Sequence, residues 1–493
     1  MLFNSDIFTL LFLPAFLILF ASISRFGSIF INIFVAAASL VFYANGDIST
    51  IWVILGSIAV NYAVAWWIAR RQSKRLAVTL GVAFNLGLLF YFKYACFALA
   101  TLPWTATMTC QVTLPLGISF FTFQQIAFIV DFYRGTARIP MPSLPGYAAF
   151  ATFFPHLIAG PITRWNELLE PIERKAYSIT VRNIEIGLFV FTIGLIKKIF
   201  LADPMAAIAN PMFEASKAGL VDPLTSILGA LAFSLQIYFD FSGYSDMAVG
   251  LALMVGIMLP WNFARPYAAT SIIDFWRRWH ITLSSFLRDY VYISLGGNRK
   301  GRRRRYLNLF ITMLLGGLWH GAAWTFVAWG ALHGAYLAIN HYARECGFSA
   351  RFPALAGFAL VNLLVVIAWV FFRAETFESA RNVLVSAASL NPLDISAYNY
   401  RSVVQSWPLP EQALGAITRN AKISTLAVII AIVAGYAAAI VIDTQGLRER
   451  FSAMDSYRTL PWRAISMATS AAVVAYGLYM QSSNVVSFIY FNF

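Results

Sequence analysis

The stretch Arg304–Arg344, RRYLNLFITMLLGGLWHGAAWTFVAWGALHGAYLAINHYAR, decides the fold. At about 1.5 Å of rise per residue, a helical stretch of this length crosses a bilayer about twice. His320 lies in its middle, where an ionisable side chain is costly unless it faces protein or a water-filled cavity. Gly316, Gly317 and Gly321 lower the helix propensity around it, which favours a local break or a close ligand approach. We therefore expect the rest of the chain to build a tunnel to this imidazole.

The composition is that of a polytopic membrane protein. Hydrophobic residues make up 59% of the 493 positions and charged residues 12%, whereas soluble domains carry about a quarter of charged residues. The mean hydropathy is +0.68. Because the core of such a chain is built by helix packing in lipid, the simplest organisation is one membrane-embedded domain over residues 1–493.

The net charge of +14 does not indicate a nucleic-acid partner. The basic residues gather in short loops between apolar runs, as the positive-inside rule describes for cytoplasmic loops. Arg25 and the cluster Arg70–Arg75 mark two such loops, so an N-terminus outside the membrane places Asn45–Asp47 outside as well. The run Arg299–Arg305 (RKGRRRR) marks a third cytoplasmic loop, as a topology anchor or as a specific anion-binding site.

Apolar runs predict roughly eleven membrane crossings plus re-entrant pieces. The first run lacks the basic region of a cleavable signal, so we expect it to be a retained span. Residues 376–390 have no clear assignment, and residues 391–421 predict a polar loop. The candidate stretches, one more than this approximate count, are about 7–23, 28–44, 50–69, 77–92, 113–130, 184–201, 223–239, two crossings within 304–344, 354–372, 423–442 and 464–481.

The sequence carries no motif for a nucleotide, a metal or a serine nucleophile. It has no P-loop or Rossmann glycine pattern in a strand–helix setting, and no G-x-S-x-G elbow. No Cys/His cluster has metal-ligand spacing, so we expect neither a metal nor a tightly bound cofactor. His333 and His341 lie near a predicted membrane boundary, which favours structural or interfacial roles. Cys96, Cys110 and Cys346 indicate no disulfide framework, although they leave room for one bond.

The segment Phe153–Pro161 (FFPHLIAGP) is apolar but too short to span a bilayer. Pro155, Gly160 and Pro161 interrupt regular helix, and irregular backbone at membrane depth must be buried in protein or line a cavity. Two interpretations are open. The segment is either re-entrant, with His156 near its turn, or an interfacial loop with a surface histidine.

Carboxylates interrupt the apolar sequence at FDFSGYSDMAVG, which begins at Phe239. Asp240 and Asp246 lie so close to the membrane that they need a cavity or a partner. The alternative is that these polar residues only cap a helix that starts near Ser242.

The segment Ser271–Tyr290 predicts an amphipathic helix in the plane of the membrane interface. Ser271 and Asp274 resemble a capping box, and apolar residues follow at i, i+3, i+4 and i+7. Large apolar side chains opposite a basic face are typical of interfacial helices. The second stripe at helical spacing consists of Arg277, His280, Ser284 and Arg288.

His320 is the first candidate for chemistry and His280 the second. Imidazole has a reference pKa of ~6.5, and burial away from water disfavours its charged form. A neutral imidazole in a dry tunnel can accept a proton from a hydroxyl or carry an acyl group. The residues alone leave open the alternative of a histidine hydrogen-bonded between packed helices.

Several segments resemble the membrane-bound O-acyltransferase family, in particular its bacterial branch that acetylates extracellular polysaccharides. The similarity runs almost end to end and is most specific from Trp261 to Gly334. The segments that carry it are GPITRW (Gly160–Trp165), FDFSGYSDMAVG, WNFARPY (Trp261–Tyr267), FWRRWHITLSSFLRDYVYISLGG, GGLWHGAAWTFVAWGALHG, the N-terminal MLFNSDIF and the C-terminal FIYFNF.

The resemblance implies an all-α polytopic membrane fold of tilted helices around a central tunnel, with funnels from both sides meeting near the histidine that matches His320. The histidine that matches His280 is expected on the cytoplasmic side. In this branch, acetyl groups from cytoplasmic acetyl-CoA cross the bacterial inner membrane to a periplasmic partner of serine-hydrolase type. That partner completes the transfer to a polysaccharide such as alginate. Peptidoglycan, cellulose or another envelope glycan is an alternative acceptor.

The expected mechanism combines what the residues predict with what the resemblance implies. Acetyl-CoA binds with its phosphates near arginines and its acetyl carbonyl near His320, which acts as general base or holds the acetyl transiently. Two alternative functions stay open, that of a membrane transporter and that of a structural scaffold. Membrane lipids surround the protein in every case. A transporter predicts inverted repeats with paired broken helices, and a scaffold predicts that Asn or Gln can replace His320. The expected site residues are His320 and His280 for catalysis and, for substrate binding, Asp240, Asp246, Asn262, Arg277, Arg288, Asp289 and Trp319.

Overall fold

The part of the chain that the computed structural model describes is helical and contains no strand. It forms two compact units, one from the described parts of 1–195, 244–261 and 446–492, the other from those of 196–243 and 262–445. The described residues are 1–70, 73–101, 110–136, 141–173, 177–348, 353–389, 400–409, 411–453, 460–481 and 488–489.

Helices of the first unit leave apolar side chains on the surface, where a soluble protein would place polar ones. Leu10 and Leu11, in the π-helical segment Ile7–Phe12, are 69% and 67% exposed, as expected for side chains that face lipid. The helices are α1 (Leu13–Ile23), α2 (Ser28–Gly46), α3 (Ile51–Ala69), α4 (Lys74–Leu89), α5 (Ala95–Thr101), α6 (Ile118–Arg134), α7 (Leu144–Thr152), α8 (Phe154–Leu157), α9 (Glu170–Glu173) and α10 (Val181–Ile196).

The second unit contains α11 (Asp203–Ala218) and the first part of α12 (Pro223–Met254), whose last residues belong to the first unit. It continues with α13 (Ile272–Arg278), α14 (Ile281–Phe286), α15 (Gly301–His320), α16 (Trp324–Glu345), α17 (Ala354–Arg373), α18 (Phe377–Ala388), α19 (Arg401–Gln405), α20 (Glu411–Thr418) and α21 (Ala421–Val441). The chain returns to the first unit with α22 (Thr444–Ala453), which begins at the boundary, and α23 (Leu460–Gln481).

Six helices of the described chain are long and apolar enough to cross a membrane. They match the predicted spans at 28–44, 50–69, 77–92, 223–239, 354–372 and 423–442, and the helix at 223–239 continues to Met254. The total of eleven crossings stays a prediction, because the other predicted spans coincide with shorter or more polar helices. The six are Ser28–Gly46, Ile51–Ala69, Lys74–Thr101, Pro223–Met254, Ala354–Arg373 and Lys422–Val441.

Helix α12 is continuous over 32 residues, where two apolar runs with a polar interruption were predicted. Asp240 and Asp246 therefore lie inside a helix, and both are buried. The alternative that a helix starts near Ser242 is wrong. The polar side chains interrupt the apolar pattern but not the backbone hydrogen bonding, because no proline follows Pro223 until Pro260.

The segment 153–161 is irregular and buried within the first unit. Helix α7 ends before Phe153, a single turn (α8) follows, and His156 is only 3% exposed. The alternative of a surface histidine is therefore wrong. Side chains satisfy the irregular backbone nearby, since the Phe154 amide donates to Ser39 Oγ at 3.0 Å.

Two regions of uncertain assignment contain helices. Residues 376–390 include α18, which Thr376 caps by accepting a hydrogen bond from the Ser379 amide at 3.1 Å. The predicted polar loop at 391–421 is partly wrong, because α19 and α20 lie within it. Its residues 391–399 and 410 lie outside the described part of the chain.

One disulfide bond joins Cys96 to Cys110, with their Cα atoms 5.3 Å apart. That separation lies within the usual range of about 4.4–6.8 Å. Cys346 is a free, exposed thiol. The chain thus uses the single bond that the cysteine count left room for.

Candidate functional site

Helices α15 and α16 form a hairpin, and His320 is the last residue of α15. The predicted local break beside His320 is confirmed, and the imidazole lies at the turn, about 30 Å along the axis from Gly301. A Cβ atom on Gly317 would stand 2.3 Å from the Phe326 carbonyl oxygen. The close approach that Gly317 permits is therefore between two helices, not between a helix and a ligand.

His320 is 3% exposed and is surrounded by aromatic rings. The centroids of Trp319, Trp329 and Phe372 lie 5.0, 5.1 and 5.1 Å from the imidazole centroid, each in an edge-to-face arrangement. Such geometry fixes the orientation of a ring and excludes bulk water from its faces. Sequence reasoning identified Trp319 but missed Trp329 and Phe372, and Phe372 gives no local signal because it belongs to α17.

The predicted continuous helix over Ser271–Tyr290 is wrong, because the chain breaks at His280. Helix α13 ends at Arg278, α14 begins at Ile281, and His280 adopts a left-handed conformation with φ of +43°. Backbone hydrogen bonds with the segment that starts at Asn262 stabilise the chain at this break. The Ile281 amide donates to the Asn262 carbonyl at 2.9 Å, and the Ala264 amide donates to the Arg278 carbonyl at 3.0 Å. These bonds replace the helical ones that a straight helix would have made.

Asn262 also holds the side chain of His280. Its side-chain oxygen lies 3.0 Å from His280 Nδ1 and accepts from the Thr282 amide at 3.3 Å and the Thr282 hydroxyl at 2.9 Å. A carbonyl oxygen only accepts hydrogen bonds, so His280 Nδ1 carries the proton. In the neutral ring Nε2 then holds the lone pair, and it has no hydrogen-bond partner within the described part of the chain.

The two catalytic candidates are neighbours. The ring centroids of His280 and His320 are 6.4 Å apart, and Trp319 contacts both, at 6.2 Å from His280 and 5.0 Å from His320. His280 is fully buried. The structure thus brings together four of the predicted site residues, namely His320, His280, Asn262 and Trp319.

Asp240 meets a buried cation, Lys198, which lies near the end of the predicted span 184–201. Lys198 Nζ lies 2.7 Å from Asp240 Oδ1 and 2.8 Å from Asp203 Oδ1, with the lysine side chain 1% exposed. The expectation that Asp240 needs a partner is confirmed. Its neighbour Phe241 contacts the His280 ring, with centroids 4.7 Å apart, so the ion cluster supports the helix that packs on His280.

The remaining predicted site residues are Arg277, Arg288, Asp289 and Asp246. Arg288 forms a two-point ion pair with Asp289, at 2.7 and 3.1 Å, and is 62% exposed. Arg277 is exposed on α13. Asp246 is buried in the part of α12 that belongs to the first unit.

His333 is buried, and its Nδ1 accepts a hydrogen bond from Trp276 Nε1 at 3.2 Å. This contact between α13 and α16 agrees with the predicted structural role. Among the described residues, no group of three His, Cys, Asp or Glu side chains is arranged to hold a metal ion.

Comparisons with known proteins show which family the chain resembles. The model of the membrane-bound O-acyltransferase family matches residues 134–374, which include both histidines. The chain is 42% identical over 413 residues to a probable alginate O-acetylase of Azotobacter vinelandii, covering 81% of this chain and 80% of the relative. It is 39% identical over 431 residues to a peptidoglycan O-acetyltransferase of Helicobacter pylori, covering 80% and 81%. A teichoic acid D-alanyltransferase of Streptococcus thermophilus is 30% identical over 46% of this chain.

These similarities define the class of the protein. The chain belongs to the membrane-bound O-acyltransferase family and is a multi-pass membrane protein. It is an O-acyltransferase, and the relatives that match over most of its length act on glycans of the cell envelope by their names.

Proposed function

We propose that this enzyme takes acetyl groups from acetyl-CoA in the cytoplasm and passes them across the bacterial inner membrane for O-acetylation of an extracytoplasmic polysaccharide such as alginate. The names of the relatives at 39–42% identity support an acetyl group and an envelope glycan. The arginine run Arg299–Arg305 supports a cytoplasmic entrance for a polyanionic donor. A periplasmic partner of serine-hydrolase type delivers the acetyl group to the polymer.

The observation that carries the mechanism is the buried pair of imidazoles, His280 and His320, at 6.4 Å. The acceptor hydroxyl attacks the acetyl carbonyl while His320 takes the hydroxyl proton as general base. The new ester C–O bond forms, the C–S bond breaks, and the proton ends on the thiol of coenzyme A. A variant of the same chemistry places the acetyl group first on His320 and then on the hydroxyl. The Nε2 lone pair of His280 accepts a hydrogen bond from a polar group of the reactants.

The test is transfer of labelled acetyl from acetyl-CoA by purified protein in detergent, with the periplasmic partner supplied. We expect His320→Ala to lower the rate by about 10²–10⁴, the usual contribution of a general base. His333→Gln is the matched control, because it alters a buried histidine that contacts Trp276. A folded His320→Ala protein with the wild-type rate would remove His320 from the chemistry.

Peptidoglycan is a second candidate acceptor, favoured by the Helicobacter pylori relative, which covers as much of this chain as the alginate relatives do. The ester content of each polymer in a deletion strain distinguishes the two. Loss of esters from the exopolysaccharide supports the first acceptor. Loss from the cell wall alone supports peptidoglycan.

A further inference from the structure

A cleft of about 550 Å³ opens in the second unit between helices α16 and α17. Its volume lies within the roughly 300–1,000 Å³ of ligand pockets. Lining residues recur at helical spacing on these two helices, Tyr336, Asn340 and Arg344 on α16 and Gly357, Val361 and Leu364 on α17. Thr270, Ser271 and Ile272, around the start of α13, also line the cleft. We refer to this feature as the α16–α17 cleft.

The long dimension of the α16–α17 cleft matches one leaflet of a bilayer. Its lining on α17 runs from Ala354 to Leu364, about 15 Å along the helix axis. That length is half of the ~30 Å hydrocarbon core. Side chains around its opening are apolar and exposed, with Ile339 at 65% and Leu360 at 45%. The cleft therefore opens toward lipid and not toward water.

One end of the cleft is cationic. Arg344 lines it at the end of α16 and forms no ion pair with a carboxylate of the described chain, whereas Glu345 is engaged by Arg302 and Arg305. Arg277, Arg305 and Arg344 all act electrostatically on His341, with Glu345 as the one opposing charge, so positive charge is in excess at this end. The opposite end is apolar, at Leu364.

The cleft is separate from the proposed acetyl-transfer site. Tyr336, its lining residue on α16 farthest from Arg344, is twelve positions from Trp324, which begins α16 at the His320 turn, or about 18 Å of helix. The apolar walls would contribute nothing to the binding of a free phosphate ion. Walls that are mostly apolar and one leaflet long, with an arginine at the end, fit a lipid whose headgroup is negative.

We propose that the α16–α17 cleft binds one acyl chain of an anionic phospholipid, with the headgroup phosphate at Arg344. The chain packs against Val361 and Leu364, and the guanidinium makes charge-assisted hydrogen bonds to the phosphate. Bound lipid fills the space between two helices of the second unit without touching the histidine pair.

The experiment uses full-length protein in nanodiscs of phosphatidylcholine that contain a small fraction of phosphatidylglycerol with a diazirine in its acyl chain. After irradiation, peptide mapping reports the labelled positions. We expect label on α16 and α17 with phosphatidylglycerol to exceed that with the matching phosphatidylcholine probe. We expect Arg344→Gln to reduce the excess about fivefold, the effect of one interfacial basic residue.

Arg344 is exposed, so its replacement leaves folding intact. Arg344→Lys keeps most of the label, and Arg303→Gln, an exposed arginine outside the cleft, leaves it unchanged. Ala343→Phe fills the cleft and removes label from both probes. Equal labelling by the two lipids, label indifferent to Arg344→Gln, or no label on α16 and α17 would each overturn the proposal.

Discussion

Asn262 determines which nitrogen of His280 carries a proton, and it does so with one oxygen atom. The same oxygen accepts from both donors of Thr282 and lies 3.0 Å from His280 Nδ1. The left-handed backbone of His280 costs about 1–2 kcal/mol relative to the right-handed form. Hydrogen bonds from the Asn262 segment offset that cost. A backbone conformation that is unfavourable by itself, but is stabilised by its surroundings, is common where a protein positions a reactive group.

Replacing Asn262 tests this arrangement. We expect Asn262→Leu to lower acetyl transfer at least tenfold, because the His280 ring loses the acceptor that fixes its tautomer. We also expect a loss of about 1–3 kcal/mol in the free energy of unfolding for each buried donor left unpaired. Asn262→Asp is the matched control, since its carboxylate keeps an oxygen in place, and it retains more activity. Measurements are initial rates and thermal unfolding in detergent, and equal loss in the two variants contradicts the role of Asn262.

Some residues of the site could be predicted and others could not, for physical reasons. His320 stands out because a titratable side chain within apolar sequence is costly. Lys198 does not, because a basic residue at the end of a span also satisfies the positive-inside rule. Only the folded chain brings Lys198 within 2.7 Å of Asp240, 42 positions away. Phe372 contacts His320 from a third helix, and nothing in its own neighbourhood of sequence indicates that contact.

Helices α15 and α16 pack with their backbones almost in contact. Gly317 faces the Phe326 carbonyl and Gly330, and a Cβ on Gly330 would stand 2.5 Å from the Met313 carbonyl oxygen. Such close approach is possible only where both helices present small residues. The hairpin therefore determines the position of His320 at its turn.

Two adjacent glycines offer a direct test of the hairpin. We expect Gly317→Ala to separate the helices and to lower acetyl transfer more than tenfold, because its Cβ meets backbone that cannot move aside. Gly316→Ala is expected to keep near-wild-type activity, since its Cβ meets only the end of the flexible Leu287 side chain, at 3.1 Å. Rates and thermal stability of the two purified variants are compared. Wild-type behaviour of Gly317→Ala would show that the close approach does not matter for the site.

At the scale of elements, the sequence predicted the apolar helices well and the interruptions poorly. Spans such as Ala354–Arg373 were predicted within a few residues because lipid requires an uninterrupted apolar run. The break at His280 was missed, since Ser271–Tyr290 keeps its helical periodicity through it. The continuity of α12 was missed for the opposite reason, because buried polar residues resemble a loop until their partners are known.

The whole chain is expected to have a defined sidedness. Cys346 follows α16, and Arg302 and Arg305 contact Glu345, so Cys346 returns to the arginine-rich end of the hairpin. The positive-inside rule assigns that end to the cytoplasm. A disulfide bond such as Cys96–Cys110 persists in an oxidising compartment, so we expect these two cysteines at the opposite face of the membrane.

Thiol labelling tests this topology. We expect a membrane-impermeant maleimide to label Cys346 only after spheroplasts are permeabilised. Cys96 and Cys110 are expected to react in intact spheroplasts once an impermeant reductant has been added. Cys346→Ser serves as the control that identifies the labelled residue. Labelling of Cys346 in intact spheroplasts contradicts the proposed orientation.

The Lys198–Asp203–Asp240 cluster also bears on how the chain enters the bilayer during synthesis. A segment that carries Lys198 leaves the translocon for lipid at a cost of a few kcal/mol while its charge is uncompensated. Asp203 is made almost at once, but Asp240 emerges only with α12. Release of these helices into lipid as a group avoids exposing the Asp240 carboxylate to hydrocarbon without Lys198, so we expect this region to insert as a cooperative unit and not one helix at a time.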